Sequence, residues 1–161
     1  MNAVIKLIEE VVIRQADYAD IERLVEFAEQ FWSMTEFSNE VAYDLETMIN
    51  TTADLIDNDV VLYAESGGQV VGFLAVMISP FPMNKHVLSA CEWGFFVDME
   101  YRKTGVGIQL LERAEEMLRE KGVKFFTMIA LDNLRPEIVG RFYQRLGFKR
   151  TEIDYMKVLG V

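Results

Sequence analysis

The stretch Phe95-Phe96-Val97-Asp98-Met99-Glu100-Tyr101-Arg102-Lys103-Thr104-Gly105-Val106-Gly107 decides the fold. An apolar strand runs into a turn with glycines two apart, and the turn opens a helix over residues 105–121. Leu110, Leu111, Ala114, Met117 and Leu118 share one face of that helix, and Gly122 stops it. At a helix start the backbone N–H groups lack helical acceptors and converge, and the helix dipole adds partial positive charge. Gly105 and Gly107 let a bulky anion approach the backbone, and Arg102 and Lys103 bring full charge beside it. These features make a cradle for a pyrophosphate. The string is not the Gly-x-x-x-x-Gly-Lys-Ser/Thr loop, and Leu110 replaces the third glycine of Gly-x-Gly-x-x-Gly. On spacing alone, a plain tight turn into a helix fits as well.

Upstream, residues 11–14 read as a strand. Asp17 stands as an N-cap with Asp20 three residues on, ahead of Ile21, Leu24, Val25, Ala28, Phe31 and Trp32 at helical spacing. A second helix is expected from Val41 to Ile56. Residues 60–65 and 69–79 read as strands joined at Ser66-Gly67-Gly68, a hairpin signal, with Pro80-Phe81-Pro82 ending the second. After a loop over 83–86, a long strand covers 87–97. Downstream come a strand over 123–131, a helix over 136–146 with Pro136 at its first position and Gly147 at its end, and a last strand over 151–159. The order βα(α)βββαβαβ is a mixed α/β (α+β) sheet with helices against it, in one domain.

The chain has 161 residues, 51% apolar and 26% charged, enough for a proper core. The net charge of −10 is unevenly spread. Residues 1–100 hold 18 acids and 4 bases, whereas residues 101–161 hold 8 acids and 12 bases. An anion belongs in the last third and a cation in the first two-thirds. Broad nucleic-acid binding is disfavoured, since it needs a basic stripe. A single cysteine, Cys91, leaves no internal disulfide framework or cysteine-built zinc site and suits a reducing interior. The single histidine, His86, argues against a His-rich metal site. No metal is expected. Residues 1–10 show no signal peptide, and the longest uncharged run, 66–84, has an apolar part of about nine residues against the roughly 20 of a membrane span. A soluble cytoplasmic protein is the expectation.

Arg102-Lys103-Thr104-Gly105-Val106-Gly107 resembles the Arg/Gln-x-x-Gly-x-Gly/Ala motif of the GNAT superfamily of N-acetyltransferases. Phe142-Tyr143-Gln144-Arg145-Leu146-Gly147-Phe148 is similar to that family's C-terminal Tyr-x-x-x-Gly-Phe. The resemblance covers residues 11–158. It implies a single N-acetyltransferase domain over 1–161, with a sheet of six to seven strands splayed between the fourth and fifth and about four flanking helices. It also implies acetyl-CoA as co-substrate. The pyrophosphate would rest on the amides of Arg102, Lys103, Thr104, Gly105, Val106 and Gly107, and the pantetheine arm on strand backbone at Phe95 and Val97. A strand amide near Phe95 would polarise the thioester carbonyl. Tyr143 would protonate the departing thiolate, or else simply pack beside Phe142. Asn133 would touch the pantetheine arm, although Leu134-Arg135-Pro136 lengthens its spacing to Tyr143.

Glu92, set in an apolar strand, is the candidate general base, with a structural acid as the alternative. Regular alternation puts it on the face opposite Trp93, Phe95 and Val97; a bulge would reverse that parity. Cys91 reads as a small buried hydrophobe, with a nucleophile as the alternative, and His86 as a surface residue, with a place lining the acceptor site as the alternative. Trp32, Phe31, Phe37 and Tyr43 are mostly core by spacing, with the acceptor pocket as the alternative. Family acceptors bind near the first two helices. Here residues 17–59 carry 12 acids and one base, Arg23, which implies a cationic amine of a small molecule or peptide or, equally, only a solvated surface. A non-catalytic CoA-binding module is the alternative to an enzyme. A homodimer is compatible with the family.

Overall fold

Asp17 starts the first helical segment as its sequence requires. The Asp17 side chain accepts from the Ala19 amide, and Asp20 reaches back to the Asp17 amide, closing a capping box. The computed structural model describes residues 10–160; residues 1–9, on which the expectation of no leader largely rests, lie outside the described residues. Contacts divide the chain into two compact units, Met1–Ile129 and Ala130–Val161, each taken by itself below.

The first unit holds β1 (Val11–Gln15), a 3-10 turn (Tyr18–Asp20), α1 (Ile21–Met34), a second turn (Glu36–Asn39) and α2 (Leu45–Asn58). It continues with β2 (Val60–Ser66), β3 (Gln69–Phe81), β4 (Asn84–Val97), a turn (Met99–Tyr101), α3 (Val106–Glu120) and β5 (Val123–Thr127). The sheet order is β1-β2-β3-β4-β5, antiparallel except for the parallel β4–β5 pair. β2 is apolar on both sides and buried on both, so it occupies the sheet interior. One face, with Val61, Tyr63, Phe73 and Ala75, packs on Leu24 and Phe27 of α1 and Leu55 of α2. The other carries fully buried Val60, Leu62, Leu74 and Val76, and α3 packs on β2 and β3 with Val106, Leu110, Leu111 and Ala114 buried.

The fold class stands as expected, and several boundaries are corrected. Five strands are present among the described residues instead of six to seven. Residues 151–159 alternate like a strand but form none: the second unit, whose regular element is α4 (Pro136–Arg145), offers no strand to pair with, and Ile153, Tyr155, Val158 and Leu159 are exposed. α2 starts at Leu45 instead of Val41, because Asp44 caps it by accepting from the Thr47 amide. Before it, Tyr43 Oη donates to the Val25 carbonyl, which ties residues 41–44 to α1. β3 runs through Pro80 to Phe81, and the loop shrinks to Pro82 and Met83, with β4 starting at Asn84. Pro80 is tolerated because β2 pairing has ended at Val76, so β3 has a strand on one side only. β5 stops at Thr127, short of Leu131, where its pairing with β4 ends.

A clamp fixes β1 to the turn that precedes α1. The Arg14 guanidinium donates to both Asp20 oxygens at 2.6 and 2.7 Å and to Glu65 at 3.0 Å. The hydrogen bond from Arg14 holds the Asp20 carboxyl below its ordinary value. A depressed carboxyl contributes stability above the unfolded pKa of about 3.9 and loses it as pH falls through the lower folded value. Arg14→Met is expected to lower stability at pH 7 by about 1 kcal/mol, small because the Arg14 side chain is 36% exposed. Thermal unfolding of both proteins across pH checks this: their difference should shrink below about pH 4.

Candidate active site

β4 and β5 pair in parallel over only Leu88–Cys91 of β4. Leu88 sits opposite Val123, Ser89 opposite Phe125, Ala90 opposite Phe126 and Cys91 opposite Thr127, and the register ends there. β4 continues to Val97 with no β5 residue in register, so the strands fork after Cys91. At the fork Glu92 Oε2 accepts from the Ile129 amide at 2.9 Å. The carboxylate therefore joins β4 to the chain just past β5.

A bulge sits at the same place. Ala75 pairs with Gly94 and Val76 with Glu92, leaving Trp93 opposite no β3 residue. Glu92 opposite Val76 and Phe95 opposite Leu74 thus share one face, with Val97, and regular alternation is broken. Trp93 packs against the cluster under α1 and α2. Gly94 makes room for Phe73 of the same cluster: a Cβ there would lie 3.1 Å from its ring.

Beyond β4 the cradle is selective about its amides. Those of Arg102 and Thr104 turn inward to the carbonyls of Met99 and Tyr101, and Thr104 Oγ1 donates to Tyr101 O at 2.7 Å. Those of Lys103, Gly105, Val106 and Gly107 donate to nothing within the chain among the described residues. Gly105 caps α3 at φ 89°, a left-handed conformation natural to glycine, and supplies no side-chain cap. The Arg102 guanidinium is partly committed: Nε donates to the Val97 carbonyl at 2.8 Å, and its carbon lies 5.6 Å from the Phe96 ring centre. It pins the cradle to the end of β4. Burial pushes the neighbouring Asp98 carboxyl up, while Arg23 and Arg102 pull it down.

Glu92, Phe95, Val97 and residues 102–107 therefore belong to one continuous strand–turn–helix of the first unit. Asn133 and Tyr143 lie in the second. There Asn133 sits in a turn closed by the Leu134 amide on the Leu131 carbonyl. Tyr143 is buried on α4 with its ring 5.7 Å from Phe142 and 5.8 Å from Phe148, and the Phe148 amide donates to the Tyr143 carbonyl. Cys91 is half-buried and His86 exposed. Sequence reading missed the roles of Trp93 and the Ile129 amide; only the Glu92-Trp93-Gly94 string, a carboxylate and a glycine inside an apolar strand, hinted at the first.

The model for the acetyltransferase (GNAT) domain matches residues 57–150, from the end of α2 past the end of α4. The chain belongs to the GNAT acetyltransferase family. Among solved structures it is similar to an aminoglycoside N-acetyltransferase in complex with CoA (20% identity, TM-score 0.75, covering 96% of this chain and 99% of that one). It is likewise similar to a predicted acetyltransferase with acetyl-CoA from Clostridium acetobutylicum (20%, TM-score 0.73, 92% and 96%). A transcriptional regulator from Bacillus halodurans shares the fold at 22% identity and TM-score 0.73, covering 93% and 100%. No curated protein sequence matches. No helix among the described residues is long and apolar enough to cross a membrane.

Two substitutions check the geometry. Gly105→Ala should cost about 1 kcal/mol through its left-handed backbone, read by denaturant unfolding; an unchanged midpoint would contradict the cap. Glu92→Gln keeps an oxygen acceptor for the Ile129 amide and should leave stability near wild type. Glu92→Leu removes it and should cost about 1 kcal/mol or more.

Proposed function

We propose that the chain is one N-acetyltransferase domain over residues 1–161, which moves an acetyl group from acetyl-CoA to a primary amine of a cationic small molecule or peptide. Transfer is direct, with both substrates bound together. The observation that carries this reading is the set of open amides at Lys103, Gly105, Val106 and Gly107, set at a helix start just beyond a forked strand pair. A donor set of backbone N–H groups and a lysine fits a pyrophosphate, and Gly105 leaves open space where a side chain would stand. The backbone of Phe95 and Val97, on the part of β4 beyond its β5 partners, would hold the pantetheine arm. Asn133 would touch the same arm. The thioester supplies an activated acetyl group.

The residues of the chain handle protons. Glu92, fixed by the Ile129 amide, takes the proton from the incoming ammonium directly or through one water, leaving a neutral amine to attack. The C–N bond forms as the C–S bond breaks, the nitrogen sheds its second proton to solvent on becoming the amide, and Glu92 returns the first to solvent. The Tyr143 hydroxyl donates its proton to the departing sulfur and is reprotonated from solvent. Similarity to an aminoglycoside N-acetyltransferase favours an amine acceptor, and the acidic α1–α2 region favours a cationic one. One half-buried cysteine accords with a reducing cytoplasm.

Thiol release from acetyl-CoA over a broad amine panel tests the reading. Amine-dependent release is expected, with kcat lowered about 10²–10⁴-fold in Tyr143→Phe. Acetyl-CoA binding without release from any amine would identify a CoA-binding module instead. Faster release with anionic acceptors than with any amine would overturn the cationic acceptor.

A further inference from the structure

The segment from the end of α1 into α2 leaves apolar side chains in solvent. Phe37 and Val41 are joined by the Val41 amide donating to the Phe37 carbonyl, and Val41 is 60% exposed. Leu45 and Ile49, one turn apart on α2, are 54% and 40% exposed. They lie beside the stripe that buries Thr52 and Leu55 further along, so α2 extends its apolar side past what covers it. The Trp32 and Phe37 rings stack 6.0 Å apart, which fixes the near end of the patch.

Some carboxylates of the acidic half are already committed. Asp17, Asp20, Asp44 and Asp59 are spent on caps, on Arg14 or on the Ile78 amide. Glu36, Glu40 and Glu46, interleaved with Phe37, Val41 and Leu45, make no ion pair among the described residues. A two-fold contact sets a surface against its own copy, so a second copy here would bring these carboxylates together at close range. The complementary occupant is apolar along one side and positive along its rim.

We infer that the Phe37–Val41–Leu45–Ile49 surface docks a basic amphipathic segment of a partner polypeptide, its apolar side chains on this patch and its lysines or arginines against Glu36, Glu40 and Glu46. Docking of this kind does not depend on acetyl transfer. It is measured with the full chain and no acyl donor, so failure of the enzymatic reading leaves it standing.

The test is fluorescence anisotropy at about 0.15 M salt, where long-range attraction between exposed charges is largely screened. Two labelled peptides serve as probes: a 14-residue lysine–leucine helix with one apolar stripe, and a peptide of equal length and charge with the leucines replaced by serine. The amphipathic peptide is expected to bind at least tenfold more tightly. Leu45→Ser combined with Ile49→Ser should weaken it about tenfold and leave the serine peptide unchanged. Val41→Ser, outside any helix, gives a second reading should the double variant lose helix by circular dichroism. Glu112→Gln with Glu120→Gln on α3 should change nothing. Equal binding of the two peptides, or an equal loss in the α3 variant, would reduce the effect to net charge and overturn the inference. So would sedimentation showing a dimer that the Leu45–Ile49 variant dissociates, since a second copy would then be the occupant.

Discussion

The unpaired residue Trp93 in β4 is the constraint on which the site depends. β3 and β4 pair along most of their length, and one extra residue between Glu92 and Gly94 reverses the facing of everything before it. Trp93 can then fill the core under α1 and α2 while Glu92 joins Phe95 and Val97 on the other side. Bulges bend a strand and increase its local twist, and here β5 stops following β4 two residues before Trp93, at Cys91. The Ile129 amide closes the fork on the Glu92 carboxylate. The bulge, the carboxylate and the parting of the strands thus form one local feature.

The cradle depends on the same strand from its other end. Arg102 sends Nε back to the Val97 carbonyl, so the turn that follows β4 is fixed to the strand that precedes it. Two amides fold into that turn and four remain directed elsewhere. The side chain that the motif supplies as a charge therefore serves first as a brace. Lys103 and the start of α3 are left to supply positive charge there, alongside the surplus of bases over residues 101–161. In the acidic half the carboxylates divide similarly. Some cap helices or hold Arg14, and those between residues 36 and 46 that are not caps border an exposed apolar surface.

Much of this was legible in the sequence, for local reasons. Gly67 and Gly68 both take positive φ, as a two-residue hairpin turn demands, and Asp17 and Asp20 close the capping box that their spacing suggests. Gly105 proved to be the left-handed cap of α3, and α4 starts at Pro136 and is followed by Gly147 at φ 91°. What stayed hidden depends on neighbours. A bulge is a relation between two strands, so Glu92 alone could not reveal its own face. Residues 151–159 have the alternation of a strand, yet alternation supplies no partner. The start of α2 turned on which residue found an amide to cap, and Asp44 was less conspicuous than the apolar Val41 before it. The open and closed amides of the cradle follow from the 3-10 turn at Met99–Tyr101, which the Gly-x-Gly spacing does not encode.

We propose that the open amides beyond the forked strand hold the acyl donor. Amide chemical shifts of nitrogen-15-labelled protein during titration with acetyl-CoA test it most directly. Saturable shifts at Lys103, Gly105, Val106 and Gly107, together with Phe95 and Val97 on β4, are the expected result. Saturable binding that leaves those six amides unmoved, or no binding at all, would contradict it.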